Sequence, residues 1–266
     1  MKKYMYVGYG KKIKLSDLRK TLNKKRKISI ILPTYNEEEN IKNIVKAIKK
    51  NLKKSKFSNS YEIIIVDDNS KDKTPNIIDN LAKKRNFIAL HRYGARGLFP
   101  SIRDGIFIAN GEYVLTMDAD FSHPPELIPK MINYSDKYDI VYCSRFVKDG
   151  GMKAPYIRKY GSMLLNKICI FLSGLDVSDF GGQFRLIKKE SYLKINFRYN
   201  SKFAEYGLEL FYRAKKLGLK AKSIPFIYEF REKGKSKMGS ILNLPNLGIN
   251  YLKRAVQLRL ENYNYS

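Results

Sequence analysis

The 266 residues carry 52 Lys and Arg against 25 Asp and Glu, a net charge of +27, with 44% apolar and 13% aromatic residues. So much apolar side chain excludes wholesale disorder and provides a core for one large domain or two small ones. The charge favours partners that bear phosphate without choosing among nucleic acid, anionic lipid and nucleotide, and the two cysteines, Cys143 and Cys169, are too few for a disulfide scaffold.

Both cysteines lie in apolar stretches, where buried thiols facing a reducing compartment are expected. Residues 1–27 hold eleven basic residues and one acid, Asp17, without the apolar block of a secretory signal, and read as a solvated basic arm. From Ile28 onward, short β-branched runs alternate with amphipathic stretches, the signature of βαβ units and a mostly parallel sheet. Strands are predicted at 28–32, 62–66, 87–91 and 113–117. A helix over 38–52 places Ile41, Ile44, Val45, Ile48 and Leu52 on one face, and Pro75 and Pro124 open helices after the second and fourth strands. A strand at 139–143 precedes a looser region, with helices at 156–172 and 203–217, a strand at 183–187 between them, a last strand at 222–230 and a basic loop at 231–237. Residues 240–260 set Leu247, Tyr251, Leu252, Ala255 and Leu258 near one helical face among Lys253, Arg254 and Arg259, suited to a bilayer, a partner or the chain's own core. No run reaches the roughly 18 to 20 apolar residues of a membrane-spanning helix.

Carboxylates gather where strands end. Asp67 and Asp68 follow the second strand and Asp118 and Asp120 the fourth, at the carboxyl ends where open α/β sheets bind ligands. The alternation Asp118-Ala119-Asp120 offers two hard oxygens to Mg²⁺ or Mn²⁺ that also holds a diphosphate; turn and helix-capping carboxylates are the other reading.

In order and spacing, Pro33-Thr34-Tyr35-Asn36-Glu37-Glu38-Glu39-Asn40, Val66-Asp67-Asp68-Asn69-Ser70 and Asp118-Ala119-Asp120-Phe121-Ser122-His123-Pro124-Pro125 resemble the inverting family 2 glycosyltransferases. Downstream, Ser144-Arg145-Phe146, Gly150-Gly151, Arg158 with Ser162, Gly181-Gly182-Gln183-Phe184-Arg185 and Arg231-Glu232-Lys233-Gly234-Lys235-Ser236-Lys237 resemble their dolichyl-phosphate mannosyltransferase branch. The resemblance implies a GT-A, Rossmann-like α/β fold in one catalytic domain at 28–239, flanked by a basic extension at 1–27 and an amphipathic interface segment at 240–266. It implies a nucleotide site at Pro33, Tyr35, Glu37 and Asp68, and Mg²⁺ or Mn²⁺ among Asp118, Asp120 and Ser122. Arg145, Arg158, Ser162 and Arg231 would hold the acceptor phosphate and Lys237 the donor diphosphate. The implied reaction is inverting transfer of mannose from GDP-mannose to dolichyl or another polyprenyl phosphate, giving dolichyl phosphate mannose for glycan or GPI-anchor assembly. Glucosyl transfer from UDP-glucose is the nearest alternative. A lipid phosphate, with a second pKa of about 6, is already nucleophilic at neutral pH, so the site needs cations and a metal rather than a strong base.

The chain departs from the family at Ser122, where Gln also occurs, and at Gly97-Leu98-Phe99-Pro100-Ser101, where Gly-Leu-Gly-Ser-Ala is usual; Phe99 and Pro100 are expected to stiffen a loop near the donor sugar. His123 is expected to shape its turn or brace the metal site, and His91 to be structural. Glu205 and Glu209, one helical turn apart, would sit near the sugar, face solvent or pair with Arg213. A nucleic-acid-binding protein is the reading from another class, suggested by the pI of about 9.9 and twenty tyrosines. It lacks a helix-turn-helix, zinc-finger or RNA-recognition motif, so no nucleic-acid partner is expected. A processive polysaccharide synthase would show Gln-x-x-Arg-Trp, and the chain has no tryptophan. The expected location is peripheral, on the cytosolic face of a membrane (endoplasmic reticulum or plasma membrane), through the basic arm and the amphipathic segment at an anionic surface or through small membrane-anchoring subunits.

Overall fold

The computed structural model describes residues 4–8, 11–13, 26–93, 96–197, 205–229 and 244–261, with the backbone alone for 4–8, 11–13 and 244–247. Arg231, Lys237 and the rest of the 231–237 loop lie outside the described residues. In chain order the elements are Tyr4–Gly8 (β1), Lys11–Ile13 (β2), Arg26–Thr34 (β3), Ile41–Leu52 (α1), Tyr61–Asp67 (β4), Thr74–Ala82 (α2), Phe87–Arg92 (β5), Leu98–Ile108 (α3) and Gly111–Thr116 (β6). A 3₁₀ turn at Pro125–Leu127 leads into Ile128–Asn133 (α4), then Ile140–Ser144 (β7), Gly151–Met152 (β8), Tyr156–Ser173 (α5), Arg185–Lys188 (β9), Lys189–Lys194 (α6), Tyr206–Lys216 (α7), Ala221–Pro225 (β10), Ile227–Tyr228 (β11) and Leu244–Leu260 (α8).

Among the described residues, nine strands form one sheet in the order β10-β7-β9-β6-β3-β4-β5-β1-β2, and β11 pairs with β8 in a small second sheet. β3, β4, β5 and β6 run parallel, as do β7 and β10; β9 is antiparallel between β6 and β7. Helices cover both faces, so the central strands are apolar throughout, with alternate residues serving opposite layers. Ile31, Ile64, Val66 and Leu90 pack with Phe99, Ile102, Phe211 and Leu258 on one side. Ile30, Leu32, Ile63 and Ile65 pack with Ile44, Ile48, Ile78 and Met131 on the other. The expected mostly parallel α/β architecture is the one observed.

Four expectations need correction. Part of the basic amino-terminal segment is strand: β1 lies antiparallel on β5, Met5 opposite His91, and β2 pairs with β1. Its apolar run Tyr4-Met5-Tyr6-Val7 is a strand signal that the lysine count obscured. Residues 98–108, expected to begin as a stiffened loop, form α3; Pro100 sits in its first turn, where a missing N–H costs nothing, and Phe99 is buried and stacked on Tyr206 at 4.6 Å. The last strand divides at the buried Phe226 into β10 and β11. Finally, α8 turns its apolar face onto the protein, with Tyr251, Ala255 and Leu258 buried; of the leucines expected at a membrane, Leu258 is core, Leu252 is half-buried, and the side chain of Leu247 is outside the described set.

Candidate active site

Three turns at the carboxyl ends of β3, β4 and β6 carry the acidic motifs, and side chains staple the first two together. Asn36, at φ 51°, donates its N–H to Ser70 Oγ (2.8 Å), and its Oδ1 accepts from Lys71 N–H (2.8 Å). Glu37 N–H donates to Thr74 Oγ1 (2.9 Å), while Asn40 Nδ2 donates to Glu37 Oε2 (2.7 Å), holding this buried carboxylate at the mouth of the turn. Pro33 is the penultimate residue of β3, and the Tyr35 ring lies under Arg96 at 4.4 Å. Asp68 accepts from Gly97 N–H (2.8 Å) and from Arg92, whose Nε also reaches Asp104 (2.8 Å). Asp68 thus ties β4 to the start of α3.

Next to it, His91 Nε2 meets Asp79 Oδ1 at 2.7 Å and Nδ1 lies 3.5 Å from Asp67 Oδ2. Burial works to lower the His91 pKa, but the two carboxylates outweigh it and raise the value above the ordinary imidazole range. The stabilisation this gives is complete below the unfolded value of about 6.5 and fades as pH rises through the higher folded value. The melting-temperature deficit of His91→Asn is therefore expected to be largest at mildly acidic pH and to shrink toward alkaline pH; a deficit that does not change with pH would show that the imidazole acts by packing alone.

The turn after β6 is more tightly organised. Asp118 N–H donates to His123 Nδ1 (2.9 Å), which leaves the ring proton on Nε2, 3.7 Å from Asp118 Oδ2. The His123 ring is stacked on Phe184 at 5.2 Å, so it shapes the turn and braces Asp118 within it. Phe121, at φ 64°, reverses the chain so that Asp120 Oδ1 accepts both Ser122 N–H (3.1 Å) and Ser122 Oγ (2.6 Å). Ser122, expected beside the cation, spends its hydroxyl proton on orienting Asp120.

A cavity of about 460 Å³ opens beside Asp118 and is lined, among others, by Arg145, Arg158, Ser162, Gln183 and Tyr251. Residues more than a hundred positions apart in the chain thus meet around one space, Arg158 and Ser162 coming from successive turns of α5. Pro33, Tyr35, Glu37, Asp68, Asp120 and Ser122 do not line it; they occupy the neighbouring strand ends.

Sequence reasoning missed Asp179. This fully buried carboxylate grips Arg145 at two points, Nε to Oδ2 at 2.7 Å and Nη2 to Oδ1 at 2.8 Å, and also accepts Arg145 N–H and Gly181 N–H. Burial would raise its pKa, but Arg145 holds it below the usual carboxylate range. An acid just before Gly181-Gly182 was the available signal. Glu209 is also fully buried, bonded to Arg213 (2.6 Å) and Arg254 (2.8 Å), which decides for pairing and against solvent exposure. Both cysteines are buried and free, and burial pushes the Cys169 thiol up to about 11. Among the described residues no three His, Cys, Asp or Glu side chains converge as a protein-only metal centre would require.

Residues 29–195 match the family described as Glycosyl transferase family 2. The chain belongs to that family. Over 217 residues it is 31% identical to a dolichol-phosphate mannosyltransferase of Pyrococcus furiosus, the match taking in 80% of this chain and 59% of the relative. Over 172 residues it is 29% identical to an undecaprenyl-phosphate 4-deoxy-4-formamido-L-arabinose transferase of Proteus mirabilis, covering 64% of this chain and 51% of the relative. The chain thus spans between half and three-fifths of the length of these family relatives. Among solved structures it is similar to glucosyl-3-phosphoglycerate synthase from Mycobacterium tuberculosis, solved in complex with Mn²⁺, UDP and glucosyl-3-phosphoglycerate. The TM-score is 0.62 at 15% identity over 92% of this chain and 84% of that one, which shows the GT-A fold.

Proposed function

We propose that this family 2 glycosyltransferase moves a sugar, with inversion, from a nucleoside diphosphate to a polyprenyl phosphate, and that the pair is GDP-mannose and dolichyl phosphate. The observation that carries this reading is the composition of the cavity: Arg158 and Ser162 beside Asp118, with Met152, Leu165 and Phe226 as apolar wall. A phosphate on a hydrocarbon stem matches both halves. The names of both relatives support a polyprenyl phosphate acceptor, and that of the Pyrococcus relative supports mannose and dolichol.

The donor set suits a hard divalent cation. Asp118 and Asp120 are two residues apart, the first one-third exposed at the cavity and the second oriented by Ser122, and Mg²⁺ or Mn²⁺ commonly takes one or two carboxylates with phosphates and water completing its shell. When bound, the ion would offset the charge of the departing diphosphate. On this reading Pro33, Tyr35, Glu37 and Asp68 hold the nucleotide and Lys237 its diphosphate, while Arg158, Ser162 and Arg231 hold the acceptor phosphate together with Arg145, which offers it Nη1 because Asp179 already takes its Nε and Nη2. No side chain has to remove a proton, since the acceptor is already an anion.

Access from a membrane has a structural candidate other than α8. Along α5, Ile157 is 88% exposed, Tyr156 77%, Leu164 59% and Phe171 84%, and Leu260 of the adjoining α8 is 75% exposed. A surface this apolar, flanked by Lys159, Lys167 and Lys253 and continuous with the cavity wall at Ile157, fits the interface of an anionic bilayer. Among the described residues no helix is long and apolar enough to cross a membrane.

The test is incubation of the chain with Mn²⁺, dolichyl phosphate in anionic vesicles and a panel of labelled sugar nucleotides. A mannolipid from GDP-mannose is the expected product. A glucolipid from UDP-glucose would move the assignment to the alternative donor, and donor turnover with no lipid product would overturn it. In the same assay Leu164→Asp with Phe171→Asp is expected to lower vesicle co-sedimentation and turnover together, leaving transfer to a short soluble prenyl phosphate unchanged.

A further inference from the structure

We infer that Arg185 is a positioning residue of the cavity, a buried cation directly behind the wall formed by Phe180, Gly181, Gly182 and Gln183 that draws an anionic group into it. The side chain is 1% exposed. One guanidinium nitrogen donates to Phe180 O, and the group lies against two rings, 5.3 Å from the centre of Tyr206 and 5.1 Å from that of Phe211. Among the described residues Nε and Nη1 have no hydrogen-bond partner, and Asp179 acts on the group by charge without bonding to it. The buried acid of the same turn, Asp179, is already committed to Arg145 through both oxygens. Asp179 is hydrogen-bonded to Arg145 alone and acts on Arg185 only at a distance, so among the described residues one carboxylate stands against two guanidinium groups and the wall keeps a net positive charge.

One hydrogen bond and two ring contacts hold the guanidinium, but a charge is not required to fill that space. An apolar side chain could fill the space between Tyr206 and Phe211 without the desolvation that burial of a guanidinium costs, and burial does press the Arg185 pKa downward. The neighbourhood is nevertheless shaped for it. A Cβ on Gly207, in the first turn of α7, would collide with both Phe180 O and the guanidinium, so only glycine admits this arrangement. The Tyr206 hydroxyl donates to Gln183, one of the cavity-lining residues, so the ring that packs on Arg185 also fixes part of the wall. A unit charge acting on a phosphate roughly 10 Å away through an effective dielectric of about 20 changes an equilibrium constant roughly ten-fold.

The inference rests on the reading that the cavity takes a phosphate, and the experiment separates the two. Binding of farnesyl phosphate and of uncharged farnesol is measured on the full chain for the wild type, Arg185→Met and Arg185→Lys, with thermal unfolding of each. Arg185→Met is expected to weaken farnesyl phosphate roughly ten-fold and leave farnesol unchanged, without lowering the melting temperature, and Arg185→Lys to restore most of the phosphate affinity. Equal weakening of phosphate and alcohol, or a wild-type preference for phosphate kept intact in Arg185→Met, would overturn the role of Arg185 alone. A wild type that binds the phosphate no better than the alcohol would overturn the phosphate reading and the inference with it.

Discussion

Asp120→Asn is expected to reduce sugar transfer by at least about a hundred-fold while leaving the melting temperature close to that of the wild type. The fold should tolerate the change because the contacts of Asp120 with Ser122 use one oxygen, Oδ1, at 2.6 Å and 3.1 Å, and an asparagine carbonyl can occupy the same position. What is lost is the anionic character of the ligand, and the charge stabilisation that a divalent ion gives a leaving diphosphate amounts to several kcal/mol. Mn²⁺ is expected to raise the melting temperature of the wild type and to have little effect on the variant. Turnover close to wild type and insensitive to chelator would remove both Asp120 and the metal from the proposed reaction.

The second large effect concerns stability and belongs to Asp179. Asp179→Ala leaves the Arg145 guanidinium without its two-point partner beside the cavity and is expected to cost about 3–5 kcal/mol; Arg145→Ala strands a fully buried carboxylate and should cost a similar amount. Removing both leaves no uncompensated charge, so the double variant should be far more stable than the sum of the single changes implies, as urea unfolding of the four proteins would show. Additive losses would mean that the pair is not energetically coupled. The folded-state pKa of Asp179 is depressed, so its contribution is complete above the unfolded value of about 3.9 and disappears as pH falls through the lower folded value. It follows that activity loss in Arg145→Ala reports on phosphate binding only where the folded fraction has been measured.

Most of the parallel sheet was legible because its strands are short apolar runs separated by turn residues, and α1 because Ile41, Ile44 and Ile48 recur at helical spacing and are fully buried. The acidic turns were legible because open α/β sheets bind ligands at one end, and Asp68 and Asp118 are found there. Where the reading failed, the deciding information was non-local. Phe99-Pro100 looks like a helix breaker until the proline is placed in a first turn and the phenylalanine under Tyr206. Residues 4–7 look like part of a charged tail until β5 is seen to need a neighbour. Leu258 looks available to a bilayer until α5 and α7 are set beside it. Asp179 and Arg185 belong to the same class: both stand beside the Gly181-Gly182 pair in sequence, but which charges they match is decided across the fold and not by that spacing.

Among the described residues the two margins of the nine-stranded sheet are β2 and β10. Exposed strand margins present unmatched N–H and C=O groups on which another chain can continue the ladder, and short length, lysine and proline are the usual deterrents. β2 has three residues, two of them Lys11 and Lys12; β10 contains Lys222 and closes on Pro225. β5, immediately inside β1, has no such protection, since its six residues Phe87–Arg92 are all buried. A chain begun at Arg26 would retain the acidic turns and the cavity yet present that strand as a template for fibril-like stacking. β1 and β2 thus cover a strand that would otherwise invite pairing by another chain, and they move the margin of the sheet out to a short, lysine-bearing strand.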